Sequence, residues 1–252
     1  MQVTVLGTSA SYPGFGQACS GFLAQEDGVN LLVDCGTGVL SNLQRFLDLR
    51  DVSDIFISHM HADHFIDLIP YRYALRFGLN GQQHSRPRLY LPPGGIDVLK
   101  RVAAPFSETD NFFADVFEMS EYEPRGSLQI RDLMLKFAPV SHYIPSHAVS
   151  IQSSRKIVYS SDSALCPELS QIAKDADLFL CNVGRSLIPD RDSLWGHLRP
   201  SEAGTLAKQA NVKRLLLCHF WPSSDRVLSL KEACQTFGGA AELAESCATF
   251  KI

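Results

Sequence analysis

The chain has 252 residues, enough to bury a substantial core in one domain or in two small ones. Hydrophobic residues make up 45% and charged residues 20%, with a formal net charge of −4 and a pI near 6.0. That balance excludes a broad basic surface gripping a long nucleic acid, but not a small phosphate-bearing substrate, because bound metal ions would add positive charge that the residue count omits.

Along the chain, short apolar strands alternate with helix-like segments. Val3–Leu6, Gly21–Ala24, Val29–Val33 and Asp54–Ser58 read as strands separated by turn signals, while Val39–Leu47 and Ile66–Phe77 carry apolar residues at helical spacing. Further strands are predicted at Arg88–Leu91, Leu128–Ile130, Leu133–Ala138, Ala148–Ile151, Ile157–Ser160, Leu178–Cys181 and Leu215–Cys218. Helices are predicted over Glu168–Lys174, Pro200–Gln209 and Leu228–Phe237, with Pro200 suited to a first helical position. A strand-rich stretch followed by helices occurs in each half, which suggests two related layers with sheets inside and helices outside.

The N-terminal residues lack the features of a secretory signal, and no apolar run approaches the length of a membrane span. The seven cysteines are scattered without any Cys-x-x-Cys pair. Cys35, Cys181 and Cys218 sit in or beside apolar runs, so they read as buried thiols of a reducing compartment, and a cytoplasmic location is expected.

Three of the eight histidines fall in Ser58-His59-Met60-His61-Ala62-Asp63-His64, directly after an apolar strand and before a helix. Imidazoles beside a carboxylate suit zinc, iron or manganese. Four such ligands on one short loop exceed what a single tetrahedral ion takes, so the spacing points to two adjacent metals. A polar surface loop gives no reason for this crowding. Of the other histidines, His147 and His84 read as packed or solvated residues, although His147 lies close enough in sequence to His142 to compete with it.

The His-x-His-x-Asp-His run resembles the signature of the metallo-β-lactamase superfamily, and the resemblance extends along the chain. Asp34 in Val33-Asp34-Cys35-Gly36 matches an early Asp-x-Gly motif, His142 follows Val140-Ser141, Asp162 ends Tyr159-Ser160-Ser161-Asp162, and His219 follows Leu217-Cys218. The resemblance implies an α/β fold, an αββα four-layer sandwich with two mixed sheets inside, spanning residues 1–252 as one domain. It implies one ion held by His59, His61 and His142, a second by Asp63, His64 and His219, and Asp162 bridging both. Asp34 supports the site from behind the ligands. The expected cofactors are two divalent ions, zinc first, with manganese or iron as alternatives. Two such ions would activate a shared water, which Asp63 is placed to orient.

The run Gly196-His197-Leu198 with Glu202-Ala203-Gly204 narrows the resemblance to the branch of ribonuclease Z and atypical class II cyclic-nucleotide phosphodiesterases. There His197 is expected to protonate the leaving group or to clamp the phosphate. Two departures stand out: Asn182 occupies a position where relatives commonly carry Glu, and His147 one where they often carry Gly or Tyr. Only nineteen residues separate His142 from Asp162, too few for the tRNA-grasping arm of ribonuclease Z. The expectation is therefore a hydrolase of a small phosphodiester, such as a cyclic nucleotide, with no membrane partner. The alternatives are an ester, thioester or lactam hydrolase, RNA processing, and a non-catalytic metal-binding domain. The resemblance also admits a homodimer.

Overall fold

The computed structural model describes residues 1–78, 85–107, 109, 111–184 and 196–252. The apolar runs pair into two sheets. The first contains β1 (Gln2–Gly7), β2 (Gly21–Glu26), β3 (Val29–Val33), β4 (Asp54–Phe56), β5 (Arg88–Leu91), β6 (Glu118–Glu121) and β14 (Thr249–Lys251), in the order β14-β1-β2-β3-β4-β5-β6. The second contains β7 (Ser127–Ile130), β8 (Leu133–Val140), β9 (Ser146–Gln152), β10 (Lys156–Tyr159), β11 (Leu178–Asn182), β12 (Leu215–Cys218) and β13 (Ala241–Leu243), in the order β13-β12-β11-β10-β9-β8-β7. Both sheets are mixed in the same way. Pairing is antiparallel from β14 to β3 and from β7 to β10, then parallel from β3 to β6 and from β10 to β13.

Successive residues of a strand face opposite sides, and here both sides are buried. Phe22, Leu31, Val33 and Phe56 of the first sheet meet Leu135, Phe137, Val149, Ile151 and Leu180 of the second in one inter-sheet core. The outer face of the first sheet, with Leu23, Leu32 and Ile55, is covered by α1 (Val39–Leu43), α2 (Ala62–Phe65), α3 (Leu68–Tyr73) and α4 (Gly95–Ala103). That of the second, with Val158, Phe179 and Leu217, is covered by α5 (Pro167–Ala173), α6 (Pro200–Gln209) and α7 (Arg226–Phe237). The layers are helix, sheet, sheet, helix, as expected. All seven cysteines are free, and no helix among the described residues is long and apolar enough to cross a membrane.

Several elements depart from the expectation. The continuous helix expected over Ile66–Phe77 is broken. The Asp63 carbonyl accepts from Ser20 N–H, and Asp67 N–H donates to the Cys35 carbonyl, so the intrahelical bond that would join these residues is given up to distant partners. A π-helical turn then replaces the α-helix over Ala74–Gly78. The expected helix Val39–Leu47 ends at Leu43, where Phe46 N–H bonds back only three residues to the Leu43 carbonyl. α4 and the edge strands β6, β13 and β14 were not expected. β6 is polar (Glu-Met-Ser-Glu) and takes its place by pairing with β5 rather than through apolar alternation.

Phe56, fully buried, stacks on Phe137 of the opposite sheet at 5.4 Å with rings 2° from parallel, and on Tyr122 at 5.0 Å. Truncating it leaves a cavity between the sheets. Phe56→Ala is expected to lower the free energy of unfolding by about 3–5 kcal/mol, read from urea denaturation; a loss below about 1 kcal/mol would show that the stack carries little of the inter-sheet packing.

Candidate metal centre

The sequence-predicted metal ligands and Asp34 lie just beyond strand ends. Asp34 follows β3, the His59–His64 run follows β4 and enters α2, His142 follows β8, Asp162 follows β10 and His219 follows β12. Three of these exits bend through left-handed backbone at residues other than glycine, with φ of 59° at Asp34, 54° at Ser161 and 62° at His219. Each such residue costs on the order of 1–3 kcal/mol and marks a place where the chain accepts strain to aim a side chain.

The donor atoms converge in two groups. In the first, His61 Nδ1 lies 3.1 Å from His59 Nε2 and 3.1 Å from His142 Nε2. In the second, His219 Nε2 lies 3.3 Å from Asp63 Oδ2 and 3.3 Å from His64 Nε2. Asp162 Oδ2 stands between them, 3.3 Å from His219, 3.4 Å from His64, 3.6 Å from His59 and 3.9 Å from His142. Ligands about 2.0–2.1 Å from a tetrahedral ion are separated by about 3.3 Å, so both groups have the spacing of a coordination shell. Among the described residues, the groups able to hold a metal are these two and the set Asp162, His197 and His219, which shares members with them.

The far sides of the rings are fixed too. Asp34, fully buried, accepts from His64 Nδ1 at 2.7 Å, from the Ser58 N–H and hydroxyl at 2.8 Å each, and from the Tyr159 hydroxyl at 2.9 Å. His142 Nδ1 donates to the Gly196 carbonyl at 2.8 Å. Holding the outer nitrogen in this way sets the tautomer and points Nε2 inward. A Cβ on Gly196 would come within 2.8 Å of the Tyr143 ring and 3.0 Å of His142 Nδ1. The Ser11 N–H reaches in from the loop after β1 to donate to Asp63 Oδ2 at 2.7 Å.

His197 belongs with this cluster. Its ring stacks on His219 at 5.4 Å and 18°, meets His142 edge-on at 5.0 Å, and places Nδ1 4.0 Å from Asp162 Oδ2. Among the described residues, neither His197 Nδ1 nor His219 Nδ1 has a hydrogen-bond partner. Both abut Gly184, where a Cβ would sit 2.8 and 3.0 Å from them. Asn182 donates to the outer oxygen of Asp162. His147 does not compete with His142: it is buried in β9, its N–H bonds the Ser58 carbonyl, and its ring stands edge-on to Tyr122 at 5.2 Å. His84 lies outside the described residues. The sequence assigns no role to Ser11, Tyr143, Tyr159 or Gly196; Tyr159 and Gly196 lie within the quoted motifs, but their contacts, the Tyr159 hydroxyl with Asp34 and the Gly196 carbonyl with His142, arise only in the fold.

Burial holds His59, His61 and His142 below the ordinary imidazole range. Burial acts the same way on His64, but Asp162, Asp34 and Asp63 outweigh it and raise its pKa well above the usual value. It also opposes charge on Asp63 and Asp162, where His64 and His219 outweigh it and keep both carboxyls below their usual range. His197 is pushed down to about 4, chiefly by burial. The metal-free cluster thus balances its carboxylates partly with a proton on His64.

A family model described as Anti-Pycsar protein Apyc1 matches residues 1–226. The protein ML1173 of Mycobacterium leprae is 32% identical over 255 residues, covering 100% of this chain and 89% of that protein. The metallo-beta-lactamase fold protein YhfI from Bacillus subtilis superposes with a TM-score of 0.85 at 25% identity, covering 99% of each chain. The short form of human tRNase Z superposes with a TM-score of 0.77 at 26% identity, covering 100% of this chain and 99% of that one. The chain belongs to the Anti-Pycsar protein Apyc1 family, in the ribonuclease Z-like branch of the metallo-β-lactamase fold, and is a metallo-hydrolase whose His/Asp groups suit divalent ions.

Because a ligand must shed its proton, a metal ion has to displace the one on His64. The raised pKa of His64 means that this competition eases as pH rises. Zinc affinity is therefore expected to increase from pH 6 to pH 8, with about one proton released on binding, measured from the buffer dependence of the calorimetric enthalpy. Affinity independent of pH, with no proton released, would contradict the balance described.

Proposed function

We propose that the chain is a dinuclear phosphodiesterase that hydrolyses a small phosphodiester, a cyclic nucleotide or a related ester, with two divalent ions, zinc first. The observation that carries this reading is His197, an imidazole outside both donor groups yet stacked against their histidines beside Asp162. On this reading His59, His61 and His142 hold one ion, Asp63, His64 and His219 the other, and Asp162 both. When bound, the ions supply Lewis acidity and bring the pKa of a water toward neutrality.

The chain's own residues do the rest. The Ser11 N–H fixes Asp63 Oδ2, so the carboxylate is held in one orientation for the water it directs. His197 is neutral at pH 7, with its pKa near 4 from burial. An anionic phosphodiester drawn in beside it adds the negative charge that favours the imidazolium, so His197 takes up a proton from solvent as the substrate binds and gives it to the leaving oxygen. A small substrate is supported by the stretch between His142 and Asp162, which β9 and β10 fill; no arm for holding tRNA is inserted there.

His197→Ala is expected to retain two ions by elemental analysis and to lose about 10²-fold or more of its turnover of bis(p-nitrophenyl) phosphate or of 2′,3′- and 3′,5′-cyclic nucleotides. Asp162→Ala is expected to lose metal as well as turnover. An unchanged rate in the His197 variant removes the proposed proton donor. Turnover of nitrocefin or an acyl-thioester, without any phosphodiester turnover, overturns the substrate class.

A further inference from the structure

Asp162 has two carboxylate oxygens in different surroundings. Oδ2 faces the two donor groups, as described. Oδ1 accepts a hydrogen bond from the Asn182 side-chain amide at 2.7 Å. The same amide nitrogen donates to the Tyr159 hydroxyl oxygen at 3.1 Å, and that hydroxyl donates onward to Asp34 Oδ2 at 2.9 Å. The Asn182 amide oxygen accepts from the Cys218 thiol at 3.0 Å. Both amide hydrogens and the amide oxygen are therefore used, in a residue only 1% exposed.

Strand parity builds this row. Tyr159, Asn182 and Cys218 end the parallel neighbours β10, β11 and β12, and Asn182 is in register with Cys218. Tyr159 and Cys218 share the inner face of the sheet with Leu180, and Asn182, two residues beyond Leu180, shares that face. The partners also fix which way round the amide sits. A carboxylate only accepts, and the Cys218 thiol stands 3.0 Å from the other end of the amide as its donor. The NH2 end must therefore face Asp162.

We infer that Asn182 is the positioning residue for the metal bridge: by occupying Oδ1 of Asp162 it commits Oδ2 to the space shared by the two donor groups, and through Tyr159 it ties that carboxylate to Asp34 and so to His64. The inference rests on the dinuclear reading above. Without the amide, Oδ1 is a buried acceptor with no donor, and the carboxylate is released to turn toward one ion alone.

The test is titration of the metal-free protein with zinc alone against a competing chelator, for wild type, Asn182→Leu, Asn182→Ala and Tyr159→Phe, with thermal midpoints recorded alongside. Wild type is expected to bind two ions. The Asn182 variants are expected to bind at least one of them about 10–100-fold more weakly. Tyr159→Phe, which keeps the bond between amide and carboxylate, is expected to lose a smaller factor. Should the Asn182 variants not fold, Tyr159→Phe decides: zinc affinity equal to wild type overturns the relay. A lower thermal midpoint with unchanged zinc affinity and stoichiometry in the folded Asn182 variants shows a merely structural residue and overturns the inference. Wild type that binds fewer than two ions overturns the dinuclear reading, and the inference with it.

Discussion

The structure around the donor groups is governed by the cost of burying charge. Asp34, Asp63 and Asp162 are all buried, and a carboxylate removed from water is tolerated only where donors or cations replace its hydration. Asp34 meets that demand with four donors from Ser58, His64 and Tyr159. Asp63 and Asp162 meet it with imidazoles at 3.3–3.7 Å. Imidazoles that are themselves desolvated make poor cations, which is why burial holds His59, His61 and His142 below their ordinary range, while the neighbouring carboxylates drive His64 toward its charged form. Divalent ions held by these groups would resolve the conflict, supplying the missing positive charge while asking the imidazoles only for their lone pairs.

The sandwich makes such a cluster possible because its two sheets contribute different things. The first sheet delivers a dense local loop after β4 and the carboxylate that holds it, Asp34. The second delivers single residues from well-separated strands, His142, Asp162 and His219. Neither contribution forms a complete shell: His61 needs His142, and Asp63 needs His219. The hydrophobic face between the sheets therefore does more than stabilise the fold, since it brings half-sites into register.

How much of this was legible in the sequence followed how local each interaction is. The His59–His64 cluster declared itself through spacing alone, because all its members lie within six consecutive residues. Asp34, His142, Asp162 and His219 became readable only through motif context after apolar strands. Asn182 stood out as a departure, yet its part in holding Asp162 was invisible, for it depends on Tyr159 and Cys218 being brought beside it by parallel pairing. The same limit explains the broken helix over Ile66–Phe77. Its apolar spacing is helical, but the bonds that interrupt it come from Ser20 and Cys35, more than thirty residues away. Polar edge strands such as β6 carry no alternation to read, and only their neighbour defines them.

The aromatic stack between the sheets has a significance beyond packing. Phe56 ends β4 three residues before His59, and Tyr122, stacked on it, donates its hydroxyl to the carbonyls of Ile57 at 3.1 Å and Ser58 at 3.2 Å. On the other side Phe137 belongs to β8, the strand that leads to His142. Three aromatic rings thus act as a caliper, setting the gap between the loop that carries His59 and His61 and the strand that delivers His142. Residues that never touch an ion would then be held to the tolerance of a ligand, and drift in ring size at positions 56, 122 or 137 would reach the metal centre as a change in donor spacing.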